Sequence, residues 1–394
     1  MLQGKNIVLG VTGSISVYKA VGLASKLVQV GVVLDVVMTQ AATEFVKPIS
    51  FGSLTKRPVI TEMFGETTDY NIAHISLSER ADLVVICPAT ANIIAKLANG
   101  IADDMLSCTV LATEAPVIVA PAMNYRMYRN KVTQENIDKL KNRGIVFVGP
   151  DTGRLATGAV GKGRLTDISN ISGAIRQVLG AGGDLTDRKI VVTAGGTQEP
   201  IDLIRRISNR SSGKMGYALA EAARDRGASV VLVSAPTSLS TPYGVELQLI
   251  DTAQQMYNAV VNAVTDADVL IMAAAVADYR PRSIADRKIK KSDESLNIDL
   301  ERTIDILSEV KVPVKIGFAA ESDDLESNAT KKLAHKNLDF IVANDITAKN
   351  SGFGADTNEV MIIDSHGEKE KLPLMDKIDV AHKILDRVAA LVSK

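Results

Sequence analysis

Short runs of β-branched residues alternate with longer amphipathic stretches along the chain, and this alternation constrains the fold more than any other feature. Residues 5–12 and 32–39 each predict a buried strand, and residues 13–31 predict a helix that Gly31 ends. A strand, a Gly/Ser turn, a helix and a second strand form a βαβ unit, which is typical of a parallel sheet. Further strands of this sheet are predicted at 81–90 and 116–124.

The same pattern begins again at Lys189 with a strand, a glycine-rich turn, a helix and another strand. Between the two halves lie Gly180, Ala181, Gly182 and Gly183, a flexible joint that places the domain boundary near residue 183. Later strands are predicted at 267–278, 315–321 and 339–345. The 394 residues therefore predict two open, mostly parallel, Rossmann-like α/β domains, residues 1–183 and 184–394.

The composition excludes several classes of protein. With 46% hydrophobic and 23% charged residues, the chain is of the globular type, neither disordered nor collagen-like. The 45 Lys and Arg residues against 46 Asp and Glu residues leave no general basic excess, and 4% aromatic residues provide few platforms for base stacking. No apolar run approaches the roughly 18 residues of a membrane span. We therefore expect small-molecule partners, and neither nucleic acid nor a membrane.

The cysteines indicate the compartment. Cys87 and Cys108 are the only two and lie in apolar surroundings, which is not the pattern of a secreted disulfide framework. The first apolar run is broken by Gly13 and Ser14 and is too short for the apolar part of a secretory signal. The sequence therefore predicts a cytoplasmic protein.

Residues 151–167 interrupt the alternation with four glycines among basic side chains. A long glycine-rich loop inside a compact domain is commonly a functional lid, and Arg154, Lys162 and Arg164 suggest a lid over an anion. A solvated surface loop is the alternative interpretation.

Three polar turns are expected at one edge of the first sheet. They are residues 10–14, 90–92 and 121–124, each at the carboxyl end of a predicted strand. Ligands of open α/β sheets bind outside the carboxyl ends of the strands, and a helix N-terminus beside Ser14 favours an anion. A complete G-x-G-x-x-G is missing, and Thr39 stands where an acidic residue would bind the ribose of NAD.

His74 is the one histidine of this half and lies among polar and apolar neighbours. A lone histidine is more often structural than catalytic, although its pKa suits a general base near neutral pH.

The second half also carries polar and basic turns. Residues 195–197 follow a strand, and residues 211–214 open a helix without the glycine spacing of a Walker motif. The basic run Lys288-Ile289-Lys290-Lys291 follows the strand that ends at Asp278. A lysine there could stabilise charge on a triphosphate, while the alternative is a solvated basic face. Lys332 and Lys336 share one face if their segment is helical.

These motifs together resemble one family. The stretches GVTGSIS, AHISL, PATAN and PAMN, with the glycine-rich segment, resemble flavin-containing cysteine decarboxylases. The stretches TAGGTQEPID, RRISNRSSGKMG, AAAVADYR and KIKK resemble phosphopantothenate–cysteine ligases. In this order, over nearly the whole chain, they resemble the bifunctional decarboxylase/ligases of coenzyme A synthesis. The first domain is then flavodoxin-like and the second a nucleotide-binding ligase domain.

The resemblance implies an FMN cofactor in the first domain. The residues it assigns to the flavin are Gly13, Ser14, Ile15, Thr39, Thr90, Ala91, Asn92 and Ala122. It assigns His74 as the base and Asn124 as the contact of the substrate carboxylate. The resemblance also implies that the flavin would oxidise the cysteinyl thiol to a thioaldehyde, which would serve as the electron sink for loss of CO₂.

The glycine-rich segment departs from the family at Thr157. The family pattern is Leu-Ala-Cys-Gly, whose cysteine donates a proton in the final reduction, whereas this chain has Leu155-Ala156-Thr157-Gly158. A threonine hydroxyl is a far weaker acid than a thiol of pKa about 8.5. We expect decarboxylation to persist and the final reduction to be slower, or another acid to replace the thiol.

In the second domain the resemblance implies CTP, with Mg²⁺ neutralising its phosphates. Phosphopantothenate attacks the α-phosphate to give an acyl-cytidylate, and the amine of cysteine then displaces CMP. Asn209 corresponds to the residue that handles this intermediate, and Lys288 to the lysine needed for activation. The nucleotide-binding residues are Met272, Ala273, Ala274, Asp278, Lys288, Ile304, Asp305, Ile306, Leu307, Phe318, Lys332 and Lys336.

A second departure lies at Thr303-Ile304-Asp305, where the familiar form has proline in the middle. Without proline we expect a looser turn that keeps Asp305, which affects the preference for CTP over ATP more than activity.

Two alternatives remain open. One is a ligase with an impaired or regulatory flavin half, since the lid cysteine is missing. The other, an NAD-dependent dehydrogenase, lacks both the glycine fingerprint and the ribose-binding acid. The resemblance also implies homo-oligomers, with trimers of the flavin domain and dimers of the ligase domain.

Overall fold

The structure, a computed structural model, describes residues 2–64, 73–291, 295–321, 323–345 and 354–393. The chain divides into two compact units, Met1–Leu179 and Gly180–Lys394. In the described part of the chain, no helix is long and apolar enough to cross a membrane.

Strands and helices alternate through the first unit as the sequence predicts. The strands are β1 (Asn6–Val11), β2 (Val33–Met38), β3 (Val59–Ile60), β4 (Leu83–Ala89), β5 (Val117–Pro121), β6 (Val146–Phe147), β7 (Asp151–Arg154) and β8 (Val160–Arg164). The helices are α1 (Val17–Gln29), α2 (Gln40–Thr43), α3 (Ile49–Thr55), α4 (Ala73–Arg80), α5 (Ala91–Asn99), α6 (Met105–Ala112), α7 (Tyr125–Tyr128), α8 (Lys131–Asn142) and α9 (Ile168–Gly180).

The sheet of the first unit is entirely parallel, in the order β3-β2-β1-β4-β5-β6. Every residue of β4 is buried, as expected of a parallel strand covered on both faces. The strand order reverses between β1 and β4. The connections that follow these two neighbouring strands therefore run to opposite sides of the sheet, which leaves a crevice at the carboxyl ends of the strands.

The predicted loop over residues 151–167 is wrong in its secondary structure. Strands β7 and β8 pair antiparallel and form a hairpin. Glycines and charged side chains hide the alternation of apolar residues from which strands are predicted, so the sequence indicates a loop. The hairpin is closed by residues 155–159, where the N–H of Leu155 donates to Ala159 O at 2.8 Å.

The second unit repeats the alternation with a longer sheet. Its strands are β9 (Lys189–Ala194), β10 (Gln198–Pro200), β11 (Arg206–Ser208), β12 (Ser229–Ser234), β13 (Glu246–Leu249), β14 (Val269–Met272), β15 (Tyr279–Pro281), β16 (Leu300–Arg302), β17 (Val314–Glu321), β18 (Phe340–Asp345), β19 (Thr357–Asp364) and β20 (Lys369–Asp376). Its helices are α10 (Lys214–Asp225), α11 (Ala253–Ala263), a 3₁₀ turn (Val264–Asp266), α12 (Ile306–Glu309), α13 (Leu325–His335) and α14 (Lys377–Val392).

The main sheet of the second unit has the order β13-β12-β9-β14-β17-β18-β19-β20. The first six strands are parallel, whereas β19 and β20 are antiparallel additions. Ile190 and Val192 of β9 face a core that includes residues of α10 and α14, and Val191 faces a core that includes residues of α11. Helices thus cover both faces, which confirms the prediction of two open, mostly parallel α/β sheets.

Strand β14 is shorter than predicted. Residues 267–278 were expected as one strand, but β14 ends at Met272. The small apolar residues after Met272 resemble a strand in sequence, yet their backbone groups bond to the segment that follows β9, since Ala275 N donates to Gly195 O at 2.8 Å. This early end leaves residues 273–278 at the carboxyl edge of the sheet.

Candidate functional site

A cavity of about 500 Å³ lies at the point where the strand order of the first unit reverses. It is bounded by the segments that follow β1, β2 and β4, as expected for a ligand site of an open α/β sheet. Its lining residues are Thr12, Gly13, Thr39, Gln40, Ala41, Thr90, Ala91, Asn92, Ile93, Lys96, Asp104 and Met127.

The buried hydroxyl of Thr12 joins the ends of β1 and β4. It donates to Pro88 O at 2.7 Å and accepts from Thr90 N at 3.1 Å. Thr90 in turn begins α5, where its own hydroxyl accepts from Ile93 N at 3.4 Å. One side chain therefore fixes the turn after β1 against the N-terminus of α5. The sequence placed Thr12 in a polar turn but gave no reason to single it out.

Replacing Thr12 by Val should lower the free energy of unfolding by about 1–3 kcal/mol, because Pro88 O and Thr90 N lose a buried partner. Urea unfolding measures this loss. Thr12→Ser keeps the hydroxyl and is the matched control. Equal stability of the Val and Ser variants would show that the bridge contributes nothing.

Most of the residues assigned to FMN by resemblance line this cavity. Gly13, Thr39, Thr90, Ala91 and Asn92 all contribute to its wall. The other three assigned residues, Ser14, Ile15 and Ala122, are not among the lining residues described. Ser14 and Ile15 continue the same turn, with Ile15 61% exposed, and buried Ala122 donates its N–H to Ala89 O at 2.9 Å.

Thr39 provides a test of whether this wall suits a polar ligand. Its Oγ1 atom is buried and has no hydrogen-bond partner in the described structure. A buried hydroxyl without a partner is unfavourable, so a ligand that supplies one would be stabilised here. The wall therefore fits a cofactor with hydrogen-bonding groups.

An ion-paired lysine forms another part of the wall. Lys96 Nζ contacts Asp103 Oδ1 at 2.6 Å and Asp104 Oδ2 at 2.8 Å. Burial alone would lower the pKa of Lys96, but the two carboxylates outweigh burial and raise it. Lys96 and Asp104 were missed by sequence reasoning, since nothing in the primary pattern brings α5 and the start of α6 together.

Among the residues that the structure describes, the three assigned as catalytic in this unit are not part of the cavity wall. His74 lies in the first turn of α4 and is partly exposed. Asn124 begins α7, where its side chain accepts from Arg126 N at 2.9 Å. Thr157 lies exposed at the tip of the β7–β8 hairpin.

The base of the hairpin nevertheless packs on the segment that holds Asn124. Met123 N donates to Gly163 O at 3.0 Å. A Cβ atom at Gly163 would lie 2.3 Å from Met123 O, so only glycine permits this approach. The hairpin and the Asn124 turn therefore form one connected element.

A larger cavity, about 780 Å³, lies in the second unit where the order reverses between β9 and β14. All residues assigned to the ligase site, except Lys288, line it. They are Asn209, Met272, Ala273, Ala274, Asp278, Ile304, Asp305, Ile306, Leu307, Phe318, Lys332 and Lys336.

Two buried threonines hold the segment after β14 in place. Thr193 Oγ1 accepts from Ala274 N at 3.1 Å, and Thr197 Oγ1 accepts from Ala277 N at 2.9 Å. Asn209 donates from Nδ2 to Val276 O at 3.1 Å. A Cβ atom at Gly196 would lie 2.6 Å from Asn209 O, so glycine allows this close approach. The sequence placed Thr197 in a polar turn after a strand but did not single out Thr193.

The two predicted lysines anchor opposite parts of the wall. Lys332 Nζ, from α13, donates to Phe318 O at 2.7 Å, and Lys336 Nζ, just past the end of α13, donates to Asp305 Oδ1 at 3.0 Å. Burial alone would raise the pKa of Asp305, but the hydrogen bond and charge of Lys336 outweigh burial and lower it. Asp305 is thus an anion held beside a cation.

Thr303 fixes the turn that lacks the proline of the family pattern. Its N–H donates to Asp278 O at 3.0 Å, and its hydroxyl donates to Ala277 O at 2.6 Å. These bonds join the turn before α12 to the segment after β14.

Lys288 is exposed and does not line the cavity in the described structure. Its segment instead bonds to the turn between β10 and β11. Sequence position after Asp278 indicated proximity to the nucleotide site, but a loop's course depends on distant partners that local patterns do not reveal.

Strands β18 and β19 and the start of α14 contribute residues that sequence reasoning missed. Asn344, Asn358 and Lys377 line the cavity. Lys377 is 7% exposed, and its Nζ donates to Ala355 O at 2.6 Å. Burial, and then the charge of Lys214, lower the pKa of Lys377. Lys214 also lines the cavity, and its Nζ pairs with Asp356 Oδ1 at 2.7 Å.

Both units match known family models. Residues 1–180 match the family described as Flavoprotein, and residues 185–392 match the DNA/pantothenate metabolism flavoprotein C-terminal domain. A crystal structure of the C-terminal domain of coenzyme A biosynthesis bifunctional protein CoaBC is 41% identical. The match covers 54% of this chain and 98% of the crystallised chain, with a TM-score of 0.47.

Relatives match over nearly their whole length. The coenzyme A biosynthesis bifunctional protein CoaBC of Bacillus subtilis is 47% identical over 398 residues, 99% of this chain and 98% of the relative. The protein of the same name from Escherichia coli strain K12 is 42% identical over 395 residues, 98% of this chain and 97% of the relative. The chain therefore belongs to the family of coenzyme A biosynthesis bifunctional proteins and is a bifunctional enzyme with a flavoprotein half and a ligase half.

Proposed function

We propose that the second unit joins 4′-phosphopantothenate to cysteine with CTP, and that the first unit decarboxylates the product to 4′-phosphopantetheine with FMN. The observation that carries this proposal is the cavity between β9 and β14. Twelve separately assigned residues, scattered from Asn209 to Lys336, surround one space there. The full-length relatives named for coenzyme A biosynthesis support the same pathway.

In the ligase half the substrate carboxylate attacks the α-phosphate of CTP, and pyrophosphate leaves. The amine of cysteine then attacks the acyl-cytidylate, forms the amide and releases CMP. Asn209, fixed against Val276 O, presents its amide at the cavity wall to the intermediate. Lys288 stabilises the charge that develops on the phosphates, a role that requires its side chain to extend from its loop to the nucleotide.

Mg²⁺ fits this site as a companion of the triphosphate. Magnesium is usually bound by one or two carboxylates together with substrate phosphates. Asp278 and Asp305 line the cavity, and Asp305 is held ionised by Lys336. Asp278 is exposed and is the carboxylate that we assign to the metal.

Isotope transfer tests this mechanism. With ¹⁸O in the carboxylate of 4′-phosphopantothenate, attack on the α-phosphate should leave one labelled oxygen in CMP. Label in orthophosphate together with CDP would instead indicate an acyl phosphate and contradict the proposal.

The choice of nucleotide is tested by comparing ligation rates with CTP and ATP. ATP in place of CTP should react more slowly, and a strong preference for ATP would contradict the choice of CTP.

In the decarboxylase half, FMN would be held by the turn at Gly13 and Ser14, by Thr39 and by residues 90–92. The partnerless Thr39 hydroxyl and the N-terminus of α5 provide hydrogen-bonding groups of the kind that a flavin nucleotide needs. Bound FMN would supply the oxidation of the cysteinyl thiol that makes loss of CO₂ possible.

The chain's own residues then handle protons and orientation. His74 takes the thiol proton, since imidazole is the side chain that most often serves as a general base. Asn124, held at the start of α7, contacts the substrate carboxylate. Thr157, at the hairpin tip, occupies the position where the family pattern has a proton-donating cysteine.

Replacing Thr157 by Cys should speed the last step, because a thiol donates a proton far more readily than a hydroxyl. Anaerobic turnover of 4′-phosphopantothenoylcysteine should give 4′-phosphopantetheine roughly 10-fold faster in this variant. A well-placed general acid contributes at least that factor to a rate. Thr157→Ser is the matched control and should match the parent protein. A parent protein as fast as the Cys variant would show that threonine is no handicap.

We also propose a cytoplasmic location, which the free cysteines support.

The assembly into trimers of the flavin domain and dimers of the ligase domain stays a prediction.

A further inference from the structure

The peptide of Ile289, in the middle of the basic run, is held from both sides by one ion pair whose carboxylate is buried. Ile289 N donates to Asp202 Oδ2 at 3.1 Å, and Arg205 donates to Ile289 O. Arg205 and Asp202 pair with each other at 2.8 Å. The Asp202 side chain is fully buried, although it lies next to an exposed turn.

The turn that carries this ion pair is part of a hairpin that bonds to its neighbours. It connects β10 to β11, which pair antiparallel. Buried Glu199 of β10 accepts from Ala253 N at 2.8 Å, which joins the hairpin to the start of α11. Ala285 N donates to Ile201 O at 3.0 Å, a second contact between the hairpin and the segment leading to the basic run.

The same hairpin leads directly to the cavity. Asn209 follows β11 and lines the cavity, whereas Asp202 and Arg205 lie at the other end of the hairpin. The β10–β11 hairpin therefore contacts the basic run at its turn and leads into the cavity wall at its other end.

Asp202 is more elaborately bonded than a turn requires. It accepts from Ile204 N and Arg205 N, both at 2.8 Å, which already satisfies the turn. The backbone N–H groups of Arg205 and Ile204, with that of Ile289 and the charge of Arg205, lower the pKa of Asp202 to about 2 despite burial. A buried carboxylate is costly unless it is fully bonded, so the third bond to Ile289 holds the basic loop in a defined place.

We propose that Asp202 is a positioning residue which, with Arg205, fixes residues 285–291 so that Lys288 can act in nucleotide transfer. Asp202 itself touches neither CTP nor phosphopantothenate. The inference rests on the proposed role of Lys288 in the ligase half.

The test compares Asp202→Asn, Lys288→Gln and the double variant in the full chain. Asp202→Asn should lower kcat for ligation roughly 10-fold with little change in KM for CTP, the size of effect seen when a supporting contact is lost. If Asp202 acts through Lys288, the double variant should be no slower than Lys288→Gln alone. Trypsin should also cleave within residues 287–291 faster in Asp202→Asn, since the loop is released.

Two controls separate positioning from folding. Asp299→Asn removes an exposed carboxylate that pairs with Arg282 on the same segment, and it should change neither rate nor cleavage. Arg205→Gln is the second variant, to be used if Asp202→Asn does not fold, because it keeps all three backbone hydrogen bonds to Asp202. It should show the same loss of kcat and faster cleavage. Unchanged decarboxylation in each variant reports an intact chain.

The outcomes distinguish the two proposals. Full ligation by Lys288→Gln would refute the proposed role of Lys288 and this inference with it. An inactive Lys288→Gln beside fully active Asp202→Asn and Arg205→Gln would overturn the positioning role alone. Additive effects in the double variant, or a change confined to KM, would also overturn it.

Discussion

Replacing Asn209 by Asp is expected to lower the rate of ligation about 100-fold or more. Losses of this size are typical when an enzyme loses one hydrogen-bond donor to the charge that develops in the transition state. The Asn209 amide donates to Val276 O at 3.1 Å and lies at the wall of the cavity. A carboxylate in its place cannot donate to Val276 O, and it also repels the phosphates of the nucleotide.

The measurement is the steady-state rate of CMP formation with saturating CTP, 4′-phosphopantothenate and cysteine. Asn262→Asp makes the same chemical change on the exposed end of α11 and should ligate at the parental rate. Decarboxylation of added 4′-phosphopantothenoylcysteine should be unchanged in both variants. A ligation rate within about twofold of the parent in Asn209→Asp would remove Asn209 from the site.

Replacing Gly163 by Ala should reduce decarboxylation by about 100-fold, because small displacements of positioning elements can cost that much. The new Cβ atom would lie 2.3 Å from Met123 O, a backbone atom with no flexible end to move away. Relief requires the hairpin to separate from the segment that leads to Asn124, which breaks the bond from Met123 N to Gly163 O.

Gly153→Ala is the matched control on the same hairpin. There the nearest atoms, Cδ at 3.1 Å and a guanidinium nitrogen at 3.3 Å, belong to the flexible Arg164 side chain. We expect decarboxylation close to the parental rate in Gly153→Ala, and unchanged ligation in both variants. Similar rates for the two variants would contradict a coupled hairpin and Asn124 turn.

The sequence predicted the carboxyl edge of the first sheet better than that of the second. Thr90 directly follows β4, whereas Ala274 was expected within a strand over 267–278 and lies beyond the observed end of β14 at Met272. In both sheets, parallel strands bring the positions that follow them to one edge. This regularity explains why residues assigned far apart along the chain meet at two cavities.

Features that depend on long-range contacts were not predictable. Lys377 reaches the cavity because β19 and β20 extend the sheet antiparallel, and nothing in the local pattern shows that extension. The exposed place of Lys288 depends on Asp202, which is 87 residues away from Ile289. The β7–β8 hairpin was missed because glycines replace the apolar residues by which a strand is recognised.

Thr39 and Thr12 illustrate the same limit within one site. Thr39 was assigned by resemblance, but only the structure shows a buried hydroxyl without a partner. Thr12 lay in a turn noted for its glycines, and its bridge between β1 and β4 depends on the pairing of two strands more than 70 residues apart.

The most direct test of the account is one incubation of the full chain with 4′-phosphopantothenate, cysteine, CTP, Mg²⁺ and FMN, with mass spectrometry of the products. The account predicts 4′-phosphopantetheine, CMP, pyrophosphate and CO₂ in equal amounts. Accumulation of 4′-phosphopantothenoylcysteine without CO₂ would contradict the decarboxylase assignment and favour a ligase with an impaired flavin half. Unconsumed CTP with no amide product would contradict the ligase assignment.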